Sequence, residues 1–108
     1  MQAIKELPLM ERPREKLLHY GPAALNNTEL LAILLGSGSK NLPVISICEK
    51  LVTAINNQPA QLAALTIQQL CRIKGIGEIK AITLTAAVEL GKRSFYQTPV
   101  PLPLTTDD

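Results

Sequence analysis

Tryptophan is absent from this 108-residue chain, and Tyr20, Phe95 and Tyr96 are its only aromatic residues. Proteins that hold single-stranded nucleic acid without reading its sequence stack bases on aromatic side chains. An aromatic content of 3% argues against that mode and leaves the phosphate backbone as the feature of a nucleic acid to be held. Histidine occurs once, as His19 beside Tyr20, and one His cannot assemble a zinc site of the usual composition. His19 reads instead as a helix C-terminal residue favoured by the dipole. Nothing in the sequence places it near Ser37, Ser39, Ser46 or Ser94, so those hydroxyls have no base to activate them. No pair of carboxylates shares an apolar setting fit for acid/base chemistry, and no enzymatic activity is expected. The two cysteines, Cys48 and Cys71, lack metal or redox spacing and are expected as buried, reduced thiols.

Long apolar runs are missing as well. Met1 to Met10 carries Lys5 and Glu6 at its centre, and no later stretch reaches membrane-spanning length, so a soluble, cytoplasmic protein without membrane contact is expected. A net charge of +2 falls short of the strongly basic footprint of a tight DNA binder. The charge is unevenly spread, however. From Leu70 to Arg93 five basic residues stand against two acidic ones, which fits weak, salt-sensitive contact with phosphate.

With 46% hydrophobic and 19% charged residues the chain reads as globular, and its length allows one modest core. Three regions follow: an extended N-terminal segment over 1–11, a helical domain over 12–93, and a Pro-rich linker or tail over 94–108, in which Pro99, Pro101 and Pro103 keep the chain extended. No segment alternates as a strand does between turn signals, so the fold is expected to be all-α, a compact bundle of five or six short helices.

Pro13 suits the first turn of a helix that Gly21-Pro22 stops. Arg12, Arg14 and Lys16 could touch phosphate, but cations at a helix start oppose the dipole, and an Arg tied to a carboxylate or to exposed carbonyls is an equal reading. Asn27 reads as the N-cap of an almost wholly apolar helix ending at Gly36-Ser37-Gly38. A helix over Leu42 to Ile55 is expected to turn Ser46, Glu49, Lys50 and Thr53 to solvent. Ala60 to Leu65 reads as a short helix, and Thr66 to Gln69 has capping-box spacing. The last helix, from Glu78 to about Arg93, is expected to bury Ile79, Ile82, Ala86 and Leu90.

The chemistry concentrates between Leu70 and Ile82, where an apolar turn of helix, Gly75-Ile76-Gly77 and a second helix follow one another. Gly75 and Gly77 permit tight turning or close approach of another chain, and Ile76 serves as an apolar plug. Helix-opening amides around Gly77 to Ile79 lack internal partners and carry about half a positive charge, which suits a phosphate oxygen. Arg72, Lys74 and Lys80 place mobile cations beside them, and Ala81 is small where two helices would cross. The spacing is that of a helix-hairpin-helix module, which binds DNA backbone without reading sequence. A tight connector between packed helices is the plainer alternative. A dinucleotide-binding turn is excluded, because no strand precedes the glycines and Lys80 stands where the third glycine would be.

A second, degenerate copy aligns Leu31, Leu34, Gly36, Ser37 and Gly38 with the pattern and sets Leu42 in the place of Ala81. Ser37, Ser39 and Lys40 are its polar donors, and a simple Gly/Ser loop explains it equally well.

Taken together, Arg12-Pro13-Arg14-Glu15-Lys16-Leu17, Glu29 to Leu35 with the Gly/Ser turn, Gly75-Ile76-Gly77 with Lys80-Ala81, and Glu89-Leu90 with Arg93 resemble the N-terminal region of bacterial RadC-type proteins. The resemblance implies a tandem helix-hairpin-helix domain with a link to DNA repair by name. It also implies a following JAB/MPN-type metalloprotease domain whose zinc motif is not found here. Duplex or branched DNA is the implied partner, with a monovalent cation at the Gly75–Gly77 carbonyls as similar modules hold. The rival expectation is a protein-interaction or substrate-presenting module for that metalloprotease domain.

Overall fold

A computed structural model describes residues 3–39 and 41–103. It is all-α, with five helices among these residues: α1 (Pro13–Tyr20), α2 (Asn27–Leu35), α3 (Val44–Ala54), α4 (Ile67–Leu70) and α5 (Glu78–Phe95). Four 3-10 segments join or precede them, and the one β-type contact among the described residues is an isolated bridge between Ser39 and Leu42. No described helix is long and apolar enough to cross a membrane.

Local chemistry accounts for most boundaries. Pro13 opens α1, and Gly21 closes it at φ 85°, a conformation that favours glycine. The N-cap of α2 is Asn26 and not Asn27: its side chain accepts from the Glu29 amide at 2.8 Å while Glu29 accepts from the Asn26 amide at 3.0 Å. Both asparagines are competent caps, and only Asn26 has a carboxylate three residues ahead to complete the reciprocal box. Thr66 and Gln69 make the same box at α4.

The N-terminal stretch departs from the extended form expected of it. Ile4–Glu6 and Leu9–Glu11 form 3-10 turns, and the Arg12 guanidinium donates to the carbonyls of Leu7 at 3.2 Å and Lys5 at 3.0 Å, folding the segment back over α1. Arg12 thus acts on exposed carbonyls, the structural reading of that cation. Lys16 is held by Glu29 at 3.0 Å.

The core gathers α2, α3 and α5 around Leu31, Leu35, Ile47, Leu51, Leu70 and Leu84. α3 carries the broad apolar face expected of it, although Ser46 is buried rather than turned to solvent. α5 sits in a different rotation from the one expected. Ala81 and Leu84 are its buried residues, while Ile79, Ile82 and Leu90 are 81%, 50% and 70% exposed, and Ala86 is exposed too. The Gly75–Gly77 hairpin fixes how α5 enters the bundle, and it brings the small Ala81, not the longer apolar stripe, against the neighbours.

Cys48 is buried, but Cys71 is exposed, contrary to the expectation for it, because α4 ends at Leu70 and the chain turns outward there. Burial pushes the Cys48 thiol up to about 12, with Glu49 adding to the shift and Lys80 opposing it. Thiolate is the reactive form, so a thiol reagent at neutral pH should label Cys71 within minutes and leave Cys48 unlabelled until the chain is unfolded. Mass spectrometry with and without denaturant checks this, and equal labelling of both in the native protein would contradict the packing around α3.

Candidate phosphate-binding hairpin

The Leu70–Ile82 region is built outward from the core. Leu70 is fully buried, Cys71 and Arg72 turn in solvent, and the Ile76 amide donates to the Ile73 carbonyl at 3.0 Å, closing the turn. Gly75 lies at φ 97°, and a Cβ built there would stand 2.5 Å from Ile47 Cγ1 and 2.6 Å from Ile47 Cδ1. A positive φ and close approach of α3 both require glycine at this position. Ile76 is buried in the core cluster as the expected plug.

Gly77 has a different job. Its φ of −90° is open to any residue, and nothing stands within 4 Å of a Cβ placed on it. It is the N-cap of α5, and its carbonyl accepts the first helical bond, from Ala81 at 3.0 Å. Helix geometry therefore leaves the amides of Glu78, Ile79 and Lys80 without intrahelical acceptors. No side chain caps this end, whereas Asn26 and Thr66 cap α2 and α4. Lys74 and Arg72 are exposed beside the turn, and Lys80 is half-buried, close enough to Cys48 for its charge to act on that thiol. Glu78 in the first turn offsets part of the positive field.

The Gly36–Gly38 loop is built on another plan. Gly36 ends α2 at φ 78°, with its amide on the Ala32 carbonyl at 2.9 Å, and Ser37 is exposed rather than plugging the core. A Cβ on Gly38 would collide with the Leu42 carbonyl oxygen and lie 2.8 Å from the Val44 amide nitrogen. Residues 39–43 then separate this glycine from α3, whose N-cap is Pro43. Leu42 is therefore not the counterpart of Ala81: it precedes the helix and pairs with Ser39, with amide to carbonyl distances of 3.0 and 3.3 Å. Lys40, expected as a donor here, lies outside the described residues.

Gly36, Ser37 and Gly38 line a cleft of about 720 Å³ together with Lys5, Arg14 and Pro43. Sequence reading had no signal for Lys5 at this place, because only the fold-back held by Arg12 brings residues 3–5 near the loop. The site residues thus fall into two groups: Arg72, Lys74, Gly75, Ile76, Gly77 and Lys80 at the entrance to α5, and Gly36, Ser37 and Gly38 at the cleft.

Residues 4–82 match the family described as UPF0758 N-terminal. The chain belongs to the UPF0758 family. A UPF0758 protein of Caldanaerobacter subterraneus subsp. tengcongensis is 45% identical over 88% of this chain and 40% of its own length. Those of Alkaliphilus metalliredigens and of Staphylococcus aureus strain Newman are 47% and 48% identical, each over 83% of this chain and 39% of the relative. The chain thus spans about two fifths of the length of the UPF0758 relatives it matches. No solved structure matches it.

Proposed function

We propose that this UPF0758 domain binds DNA through its phosphate backbone, without sequence preference, at the entrance to α5. The observation that carries the reading is the uncapped N-terminus of an 18-residue helix set on a rigid glycine turn, with Lys74 and Lys80 on either side. In this reading the open amides supply fixed donors and the lysines beside them in sequence supply charge, the two parts of a phosphate grip. The Gly36–Gly38 loop is a second, weaker contact in this reading, and the RadC-type resemblance adds the helix-hairpin-helix description and the metalloprotease domain of longer proteins. A protein-interaction role toward such a domain is the second reading, favoured by the exposed Phe95 and Tyr96 at the end of α5.

Fluorescence anisotropy of labelled duplex and branched DNA at several salt concentrations tests the first reading. With two to four phosphates contacted, the slope of log affinity against log salt should be about −2 to −4. Lys74→Glu with Lys80→Glu should weaken binding by about tenfold to a hundredfold, since each reversal replaces attraction by repulsion at phosphate, while the helical circular dichroism stays as it was. Unchanged affinity in the double variant would remove the hairpin from the DNA surface.

A further inference from the structure

We propose that the cleft beside the Gly36–Gly38 loop receives the phosphorylated end of a DNA strand, a phosphate monoester with its own nucleoside, and gives the domain a preference for such ends. This rests on the DNA reading above and names the occupant of its second contact. The cleft measures about 720 Å³, within the range of about 300–1,000 Å³ that encloses a small organic ligand. Lys5, Arg12 and Arg14 bring three positive charges to its lining against the single carboxylate of Glu15. Ser37 and Ser39 add hydroxyls, and Ile33, Pro43 and Val44 give it an apolar wall.

The state of the cations points to an anion. Arg12, Arg14 and Lys16 all stand at the start of α1, where the helix dipole opposes positive charge. Two of them have structural partners: Arg12 donates to the carbonyls of Leu7 and Lys5, and Lys16 pairs with Glu29. Arg14 has none. Among the described residues neither its guanidinium nor the Lys5 ammonium forms an ion pair or a hydrogen bond, and both line the cleft. Arg12 uses only two of its five N–H donors on the fold-back, the same fold-back that sets Lys5 beside the loop. Unpaired charge of one sign along a cleft concentrates its counter-ion there. An internal phosphate diester carries one negative charge and has sugar on both sides, so it meets only the rim. A terminal monoester carries about −1.5 to −2 at neutral pH and offers three oxygens to the guanidinium groups. Chain leaves it on one side only, so it enters the cleft with its nucleoside against Ile33 and Val44.

Fluorescence anisotropy with the full 108-residue chain tests this on a labelled duplex whose short single-stranded overhang ends in phosphate or in hydroxyl, at the 5′ and the 3′ end in turn. Phosphate at one of the two ends should raise affinity at least about tenfold over hydroxyl, the effect of one or two hydrogen bonds to a charged group. Lys5→Gln with Arg14→Gln should reduce that ratio to less than about twofold. Both side chains are exposed, so the helical circular dichroism should stay as it was. Lys74→Glu with Lys80→Glu should lower both affinities and leave the ratio standing, which separates the cleft from the hairpin. A deoxynucleoside monophosphate added as competitor should remove the advantage of the phosphorylated end. DNA bound equally well with either end overturns the cleft assignment and leaves the hairpin reading in place. An end preference that survives Lys5→Gln with Arg14→Gln overturns it too. Failure to bind any of these DNAs at low salt overturns the DNA reading and the cleft assignment together.

Discussion

Replacing Gly75 by alanine should lower the thermal midpoint by about 10–20 °C, whereas the same change at Gly77 should move it by less than about 5 °C. A methyl group at Gly75 meets two costs. The left-handed backbone region costs an L-residue about 1–2 kcal/mol. Pushing the new Cβ against Ile47, at 2.5 and 2.6 Å, adds about 1–3 kcal/mol of overpacking, because Ile47 is completely buried and its branches have nowhere to withdraw. Stiffening of the unfolded chain returns less than about 1 kcal/mol. At Gly77 neither cost arises, since φ is −90° and the space is open. Alanine is a poorer N-cap than glycine by about 0.5–1 kcal/mol, and the stiffer unfolded chain offsets most of that loss. Thermal denaturation followed by circular dichroism separates the two variants. Equal midpoints would mean that the turn is held by something other than the approach of α3.

Two glycines that look alike in sequence thus have separate duties, and the difference marks where sequence reading stops. The spacing of Gly75, Ile76, Gly77 and Ala81 is a local signal, and it led to the right turn, the right plug and the right helix start. Caps were legible for the same reason: the Thr66–Gln69 box is complete within four residues, and Asn26 was missed by one position only because two asparagines stand side by side. The rotation of α5 was not legible. Ile79, Ile82, Ala86 and Leu90 form the more continuous apolar line, but the helix turns Ala81 and Leu84 inward, and the turn that leads into it packs Gly75 closely against Ile47 on α3. That contact joins residues far apart in sequence, and hydrophobic period alone carries no information about it. For the loop after α2 the sequence left a degenerate hairpin and a simple Gly/Ser loop as equal readings. Its alignment to the hairpin pattern counts residues correctly, yet the Ser39–Leu42 pairing uses them as a lead-in to α3 and leaves Ser37 exposed. The cleft beside it depends on the Arg12 bonds to Leu7 and Lys5, a fold-back that composition does not announce.

Ile47 on α3 is therefore the residue through which core packing and the candidate site meet, and truncating it should be costly in an informative way. Ile47→Ala empties a fully buried position and should lower stability by about 2–5 kcal/mol, depending on how far α2, α3 and the hairpin relax into the space. The same truncation removes Cγ1, Cδ1 and Cγ2, the three atoms a Cβ at Gly75 would meet. In the double variant Ile47→Ala with Gly75→Ala, the steric part of the glycine replacement should vanish and only the backbone cost remain. The combined loss should then fall short of the sum of the single losses by about 1–3 kcal/mol, the steric part alone, a coupling large enough for a double-mutant cycle in urea to resolve. Strict additivity would show that positive φ alone makes Gly75 necessary and that Ile47 does not steer the hairpin. A measured coupling places the orientation of the open amides at Glu78, Ile79 and Lys80 under the control of a side chain on α3. On that footing Ile47→Ala should weaken the proposed DNA binding at temperatures where the domain is still folded, even though Ile47 is wholly buried and cannot touch a phosphate.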